Sequence, residues 1–287
     1  MNRPLKPRRP HRRGGIFLCP LACLMAALLL SCVDSQPTVH LQMKFQPGRE
    51  LVYEQINRQT FSMNNSPVIS SSSQSKGEMV QKVASISADG KARIEEASTW
   101  SWSETAPDST ISVVSSTESL SYDMAPDGKI SGLELLSDQD ASKWKEYAQQ
   151  NIEQSQPTFP AEPVGKGYKW MQSVKIFMPS GEKLDASTTY TVTDFVEVDG
   201  RKCVIIDYQG NLILPFDIME SDSLSRSGVD KTDVTGTLVF DYENGYTYSQ
   251  EEKTKITVER AKILGNQATA NTFYIEGELY FKLKSAK

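Results

Sequence analysis

The sequence predicts a mainly β protein with a minor α component: two related antiparallel β units, open to forms such as curved sheets or half-barrels, with one helix between them. Three observations predict this class. Short runs of β-branched and aromatic residues, bounded by turn residues, dominate the chain. Four Asp-Gly or Asn-Gly pairs lie between such runs. A single segment has apolar residues at helical spacing.

The strand candidates are the runs that combine β-forming residues with flanking turn signals. They are Glu50–Gln55, Val80–Ser87, Ala92–Trp102, Ile111–Tyr122, Lys169–Phe177, Thr188–Val198, Lys202–Gln209, Thr237–Tyr242, Tyr246–Ala261 and Thr272–Leu283. Asp-Gly and Asn-Gly supply the positive φ angles that tight hairpin turns need. These pairs are Asp89-Gly90, Asp127-Gly128, Asp199-Gly200 and Asn244-Gly245. The serine run Ser70–Ser73 is predicted as a hairpin loop.

The helix is predicted from Ser137 or Asp138 to about Gln154. Acidic residues lie at its start, and Trp144, Tyr147, Ala148 and Ile152 recur on one face. Residues 155–165 follow as a proline-rich connector, because prolines cannot continue a helix.

The turns of the two halves follow the same order, which favours a diverged duplication. Gly48 matches Gly167, Asp89 matches Asp199, and Asp123 matches Asp241, at offsets of 119, 110 and 118 residues. Hairpins of any origin share such turns, so an unrelated origin stays open. The predicted units are residues 45–154, which include the helix at their end, and residues 166–287.

Residues 1–31 have the pattern of an export signal. A run with six basic residues precedes an apolar stretch, and no acidic residue occurs before Asp34. Paired arginines at Arg12-Arg13 partly resemble a twin-arginine motif, but a basic flank produces such pairs by chance, so general secretion is the default. Residues 32–44 are predicted as a tether.

The segment Leu29-Leu30-Ser31-Cys32 resembles the lipobox of bacterial lipoprotein precursors. The resemblance implies that the Cys32 thiol receives a diacylglycerol, that cleavage precedes it, and that acyl chains such as palmitate anchor the mature protein. Val33 follows the cysteine at the position where, in such lipoproteins, an aspartate would retain the protein in the inner membrane, so the resemblance implies the outer membrane. The alternative is an ordinary secretory signal. The Phe159 to Trp170 segment and the hairpins resemble exported β-rich bacterial lipoproteins without an assigned activity, which implies a fold and a location but no reaction.

The charge limits the partners. The whole chain has 31 basic and 36 acidic residues, and removing residues 1–32 takes away six of the former, so the mature chain has 25 against 36, a net charge of −11. Nucleic-acid binding needs clustered Lys and Arg, so no nucleic-acid partner is expected. The acyl chains, rather than the surface charge, must hold the protein to a membrane. The expected partners are that membrane and an envelope protein or a hydrophobic ligand.

The residues that common enzymes and metal sites need are scarce. His11 leaves with the signal, His40 is expected at the surface, and Cys203 lies in a predicted buried strand. Ser-His, Cys-His and zinc chemistry are therefore disfavoured, and no enzyme activity, cofactor or metal is predicted. Two alternatives stay open: paired carboxylates, which counting cannot exclude, and calcium at Asp241–Gly245, although a hairpin turn explains that segment more simply.

The tryptophans are the candidate contacts for an apolar ligand, with core packing as the alternative. Trp100 and Trp102 share a strand face at i, i+2, and Trp144 and Trp170 lie elsewhere. The first functional hypothesis is a non-enzymatic binding or interaction module at the membrane surface. The alternative is a carrier or sensor of a lipid or another hydrophobic ligand on a concave sheet. An apolar cavity lined by these side chains would favour the carrier, and a filled core would favour the interaction module.

Overall fold

A computed structural model describes residues 37–63, 71–106, 109–136, 157–177, 183–221, 224–264 and 267–287. These residues form strands throughout, joined by turns and by short irregular segments. The strands are β1 (Glu50–Met63), β2 (Ser71–Ile86), β3 (Ala92–Ala106), β4 (Ser109–Met124), β5 (Ile130–Leu135), β6 (Lys169–Phe177), β7 (Lys183–Val198), β8 (Arg201–Ser221), β9 (Leu224–Asp241), β10 (Tyr246–Leu264) and β11 (Gln267–Ala286).

All eleven strands belong to one antiparallel sheet with the order β5-β4-β3-β2-β1-β11-β10-β9-β8-β7-β6. The first five strands and the last six meet where β1 pairs with β11, for example at Gln55 and Phe281. The prediction of a mainly β, antiparallel fold is confirmed. The helix predicted for residues 138–154 lies outside the described residues. Within the described ranges, no helix is long and apolar enough to cross a membrane.

The four predicted turns lie at one end of the sheet, together with the start of β1 and the end of β11. This end, defined by the turns at residues 89–90, 127–128, 199–200 and 244–245, is called the base. Gly90, Gly128, Gly200 and Gly245 all have φ angles between 71° and 90°, a region that glycine enters without steric cost. The turn chemistry read from the sequence was therefore correct at each of these positions.

The strands extend further from the base than the sequence predicted. β8 runs to Ser221 rather than Gln209, and β9 begins at Leu224 rather than Thr237. β5 was not predicted, and Ser71–Ser73, predicted as a loop, belong to β2. In each case the backbone continues a ladder with its neighbour, as Ser73 does with Gln59, and this pairing overrides a weak local propensity.

Residues 37–46, part of which the sequence assigned to a tether, pack across the base. Val39 forms a bridge with Val164, the Met43 amide donates to the carbonyl of Pro126 at 2.7 Å, and the Lys44 amide donates to the carbonyl of Gly245 at 3.1 Å. Leu41 is only 1% exposed, and burial of such a side chain contributes about 1.5–3 kcal/mol. This segment therefore fastens the first strands to the last ones.

The core is concentrated near the base. The largest cluster joins Leu41 and Phe159 to the buried faces of β7, β8 and β9, and the rings of Phe159 and Phe240 lie 4.7 Å apart. A second cluster lies on β2–β5, around Tyr122. A third joins β1, β10 and β11 and contains Cys203, which is fully buried as predicted. Burial raises the pKa of the Cys203 thiol to about 11, so this residue behaves as a small apolar side chain.

Candidate ligand-binding cavity

One face of the sheet surrounds a cavity of about 720 Å³. Its lining includes Ile130 of β5 and Val174 of β6, the two edge strands, together with Tyr53 from the middle of the sheet. Residues from opposite edges of an eleven-stranded sheet can line one cavity only when the sheet curls, so this face is concave. Curved sheets were one of the forms predicted for the two halves; in the structure the strands of both halves form a single curved sheet.

The cavity lining follows from the two-residue period of the strands. Alternate positions on β1, namely Leu51, Tyr53 and Gln55, are buried on the concave side, because successive side chains of a strand point to opposite faces. The same rule applies to the neighbouring strands. The apolar part of the lining includes Met79, Leu120, Leu212, Leu238, Leu279 and Phe281. At the base the cavity ends on Met43, Phe45 and Phe159, which close its floor.

Trp100, one of the predicted ligand contacts, is among the residues that line the cavity. It pairs across the ladder with Gly77, and the indole lies directly over that glycine. A Cβ atom at position 77 would come within 2.8 Å of Trp100 Cε3, so a larger residue would displace the ring. Because position 77 is a glycine, the Trp100 indole can pack directly against its backbone.

The other three predicted tryptophans differ from Trp100. Trp102 is half-buried on the same strand and is not among the described residues that line the cavity. Trp170 packs at the base: it stacks on Tyr190 with ring centroids 5.0 Å apart, and its indole N–H donates to the carbonyl of Thr158 at 3.0 Å. Trp170 thus has the packing role that was the alternative. Trp144 lies outside the described residues.

A carboxylate faces the cavity on the first half of the sheet. Glu96 of β3 accepts hydrogen bonds at Oε2 from the Tyr122 hydroxyl at 3.0 Å and from the Gln81 amide at 2.9 Å. The same amide donates to the Tyr122 oxygen at 3.1 Å. Burial raises the pKa of Glu96, and these two hydrogen bonds oppose the rise. The pKa of Tyr122 is raised well above its usual value, again mainly by burial, so its hydroxyl stays protonated and donates.

A second carboxylate has an equivalent arrangement on the other half. Glu252 of β10 accepts from the Tyr208 hydroxyl at 2.9 Å, and the Gln250 amide donates to the Tyr208 oxygen at 2.8 Å. Tyr208 reaches Glu252 because Gly236, which pairs with both residues, lies between them. Burial raises the pKa of Tyr208 far above that of a free phenol, so this hydroxyl is also a donor.

An unsatisfied acceptor lies on β1, the strand that stands between β3 and β10 in the order of the sheet. Gln55 is 9% exposed and lines the cavity, its Nε2 donates to the sulfur of Met79 at 3.2 Å, and its Oε1 has no hydrogen-bond partner among the described residues. An unpaired buried carbonyl oxygen costs about 1–3 kcal/mol. This oxygen is therefore suited to accept a hydrogen bond from a molecule in the cavity.

The alternatives of catalysis and metal binding gain no geometric support from the described residues. The hydrogen-bond partners of Glu96 and Glu252 are hydroxyl and amide groups rather than a second carboxylate. Within the same ranges, no three His, Cys, Asp or Glu side chains gather as metal ligands do. Asp241 is fully buried and accepts from the amide and the side chain of Asn244, which identifies its acidic segment as the hairpin turn that the sequence favoured. His40 is exposed, as expected.

Sequence reasoning missed the Glu–Tyr–Gln clusters. Each cluster joins side chains of neighbouring strands, so it depends on a register that turn signals alone do not give. A weaker signal was present: on β3 the concave-side positions read Ile94, Glu96, Ser98 and Trp100, and a glutamate on the apolar side of a strand is an exception worth explaining.

Comparison with known proteins assigns the chain to no family. No protein-family model matches the chain, and no curated protein does. A solved structure of lipovitellin, described as concerning lipid–protein interactions, matches with a TM-score of 0.44 and 12% identity, over 85% of this chain and 26% of the other. The chain thus spans about a quarter of that lipovitellin chain.

Proposed function

We propose that this protein is a non-enzymatic, lipid-anchored envelope protein that carries or senses a hydrophobic ligand. The observation that carries the proposal is the cavity of about 720 Å³ on the concave face. Ligand cavities typically measure about 300–1,000 Å³ and combine apolar walls with a few polar groups. The cavity combines walls such as Leu120, Leu212 and Leu279 with the polar groups of Glu96 and Glu252.

Transfer of an apolar chain from water into this cavity is favourable by about 25 cal/mol for each Å² of surface buried. The core at the base supports such binding, because it holds the walls in place without filling the space above it. A general interaction module would not need a deep apolar interior. The carrier or sensor hypothesis is therefore preferred over the interaction module.

The location is part of the proposal and is supported by the N-terminal sequence. Acylation at Cys32 would attach the sheet to a membrane, with the outer membrane favoured by Val33. A Cys32→Ser variant is expected to move from the membrane fraction to the soluble fraction of fractionated cells. A full-length, uncleaved variant that still sediments with membranes would instead indicate a membrane-spanning N-terminus.

The ligand site is tested with a matched pair of substitutions. Ala186 lines the cavity on β7, whereas Ala97 is exposed on β3, one position from the concave-side Glu96. An Ala186→Trp variant fills part of the cavity, and an Ala97→Trp variant adds the same side chain outside. Binding of a fluorescent fatty-acyl probe is expected to weaken at least about tenfold in the first variant and to stay unchanged in the second.

Native mass spectrometry of the purified protein provides an independent readout. Co-purifying hydrophobic molecules are expected on the wild-type protein and on Ala97→Trp, and their occupancy should fall on Ala186→Trp. Unfolding in urea checks that both variants are folded. Equal probe affinity and equal occupancy in two folded variants would contradict the proposal, since the probe would then bind elsewhere.

A further inference from the structure

A basic side chain lines the cavity at its base. Arg49, the residue before β1, is the positively charged residue among the described ones that line the cavity. Its Nη1 donates to the carbonyl of Asn244 at 3.2 Å, and the central carbon of its guanidinium lies 5.4 Å from the ring centroid of Tyr246. These two contacts hold the guanidinium against the turn at residues 244–245.

One edge of this guanidinium is left without a partner by the described residues. Nε is buried and donates to none of them, and the hydrogen bond that the side chain makes to them comes from Nη1. The N–H groups of Nε and Nη2 point the same way along the opposite edge, which is an edge that binds both oxygens of a carboxylate at once. Arg49 therefore offers a ready-made carboxylate site.

The nearby carboxylates of the protein do not fill this site. Asp241 accepts from the amide and the side chain of Asn244 and pairs with Arg201 at 3.4 Å. Glu50 pairs with Lys287 at 3.7 Å. Burial lowers the pKa of Arg49, because it removes hydration from the charged form, yet a guanidinium stays protonated at neutral pH. An anion beside it would compensate the lost hydration.

The charges of the lining are separated along the strands. Glu252 is level with Asn57, eight residues beyond Arg49, or about 26 Å at about 3.3 Å per residue. Glu96 is level with Leu51, two strands across on β3. The lining is thus positive at the base and negative further along the wall, so an anionic group is attracted to the base and disfavoured beside the wall carboxylates.

We infer that the cavity binds an amphiphile with a carboxylate head group, head first, with the carboxylate on the free edge of Arg49 and the tail along the apolar wall. The inference rests on the proposed function and adds the head group and its orientation. The wall beyond the base supplies the tail contacts, among them Met79, Leu279 and Phe281.

The test compares three probes with the same tail: dodecanoate, dodecanol and dodecylammonium, each below the concentration at which it forms micelles. Competition with the fluorescent acyl probe at neutral pH gives their affinities. The wild-type protein is expected to bind dodecanoate at least about tenfold more tightly than the other two. Equal binding of the three, or a preference for dodecanol or dodecylammonium, would overturn the inference while the proposed function stands. If none of the probes binds, both fail.

Two substitutions locate the effect at Arg49. Arg49→Gln removes the charge and should reduce the ratio of dodecanoate to dodecanol affinity about tenfold. Because both affinities are measured in one variant, a general weakening of the cavity cancels in this ratio. Arg49→Lys keeps the charge but loses the two-donor edge, so its ratio should lie between those of the wild type and Arg49→Gln. An unchanged ratio in both variants would contradict the assignment.

The matched control is Lys44→Gln, which removes a positive charge from the same base outside the cavity. Lys44 is exposed, and its Nζ donates to the carbonyls of Tyr242 and Glu243, just as Arg49 donates to that of Asn244. This variant should keep the wild-type ratio. A reduction equal to that of Arg49→Gln would show that the general charge of the base, rather than the Arg49 edge, sets the preference, and would overturn the inference.

The orientation is tested by bromine quenching of fluorescence. Trp100 is level with Gln55, six residues beyond Arg49, or about 20 Å along the sheet. With the head at Arg49, 12-bromododecanoate at saturation should quench Trp100 more than 2-bromododecanoate, whose bromine lies beside the carboxylate. The difference between the wild type and Trp100→Phe isolates the signal of Trp100. Equal or stronger quenching by the 2-bromo probe would refute head-first binding.

Discussion

A Gly236→Ala substitution is expected to destabilise the fold and to separate Tyr208 from Glu252, although it adds a single methyl group. A Cβ atom at position 236 would overlap the Tyr208 ring and hydroxyl and would lie 2.5 Å from the carbonyl oxygen of Glu251. Tyr208 would have to leave its place across the glycine, because it pairs directly with this position. The carbonyl belongs to the next strand and moves only with the ladder.

The expected loss in the free energy of unfolding follows from the steric overlap and from the broken hydrogen bond. Overpacking of a fitted site costs about 1–3 kcal/mol, and loss of a hydrogen bond to a charged group costs about 1.5–3 kcal/mol. Partial relaxation makes the two less than additive, so we expect a loss of about 3 kcal/mol in the free energy of unfolding. For a chain of this size, that corresponds to a fall of about 6–12 °C in Tm.

The assay is equilibrium unfolding in urea, followed by tryptophan fluorescence and circular dichroism. Gly277→Ala is the matched control, because a Cβ atom at Gly277 meets its nearest neighbour, Thr254 Cβ, at an ordinary 3.7 Å. That variant should stay within about 1 kcal/mol of the wild type, with a slight gain because alanine restricts the unfolded chain. If Gly236→Ala costs no more than Gly277→Ala, the argument that glycine is required beneath Tyr208 is wrong.

Three further outcomes are expected from the burial of single residues. Leu41→Ala should lower the free energy of unfolding, measured in urea, by about 3 kcal/mol, since Leu41 is 1% exposed. The control Gln42→Ala, at an exposed position, should change it by less than about 0.5 kcal/mol. Equal effects of the two substitutions would contradict the role given to residues 37–46. Burial raises the pKa of Glu96, so the folded state retains its proton better than the unfolded state, and stability falls as pH rises from the ordinary glutamate pKa through the raised one. Glu96→Gln should remove that fall in urea midpoints measured from acid to neutral pH, and Glu95→Gln should retain it. Cys203, with a pKa of about 11, should resist an aromatic disulfide reagent at pH near 8 in a Cys32→Ser mature chain until denaturant is added; rapid reaction in the native state would refute its burial.

The sequence predicted the base of the sheet well and the rest of it less well, for one physical reason. A hairpin turn such as Asp199-Gly200 is specified by its own residues, since Asp199 and Gly200 both take positive φ angles there, 49° and 74°. The outer part of β8 contains Gly210, Asn211 and Pro215, which are poor strand formers. Its strand conformation comes from pairing with β9 over its whole length, and a single sequence does not reveal a partner.

In the candidate site, too, features set by neighbouring residues in the sequence were predictable, and features set by distant residues were not. The sequence placed Trp100 on a strand as either a ligand contact or a packing residue, and it lines the cavity. Trp170 has the same type and pattern, but it packs at the base. The difference depends on residues 157–159, which approach from elsewhere in the chain, for example when the amide of Phe159 donates to the carbonyl of Asp127 at 2.7 Å.

The two carboxylate clusters are not copies of each other under the proposed duplication. Matching turns of the two halves are 110 to 119 residues apart, whereas Glu252 follows Glu96 by 156 residues and Tyr208 follows Tyr122 by 86. The turn-based match pairs β3 with β8, so the position that corresponds to Glu96 is Ile206, an apolar core residue. The second cluster therefore lies at a position of the second half that does not correspond to that of the first.

Each cluster places a carboxylate in a largely apolar wall, which costs stability unless something compensates it. A single carboxylate of this kind can be explained by local packing and hydrogen bonding alone. Two of them, built from the same residue types at non-equivalent positions, both line the one cavity. The neighbouring hydroxyl and amide groups, Tyr122 with Gln81 and Tyr208 with Gln250, offset part of that cost locally and hold each carboxylate in place on the wall.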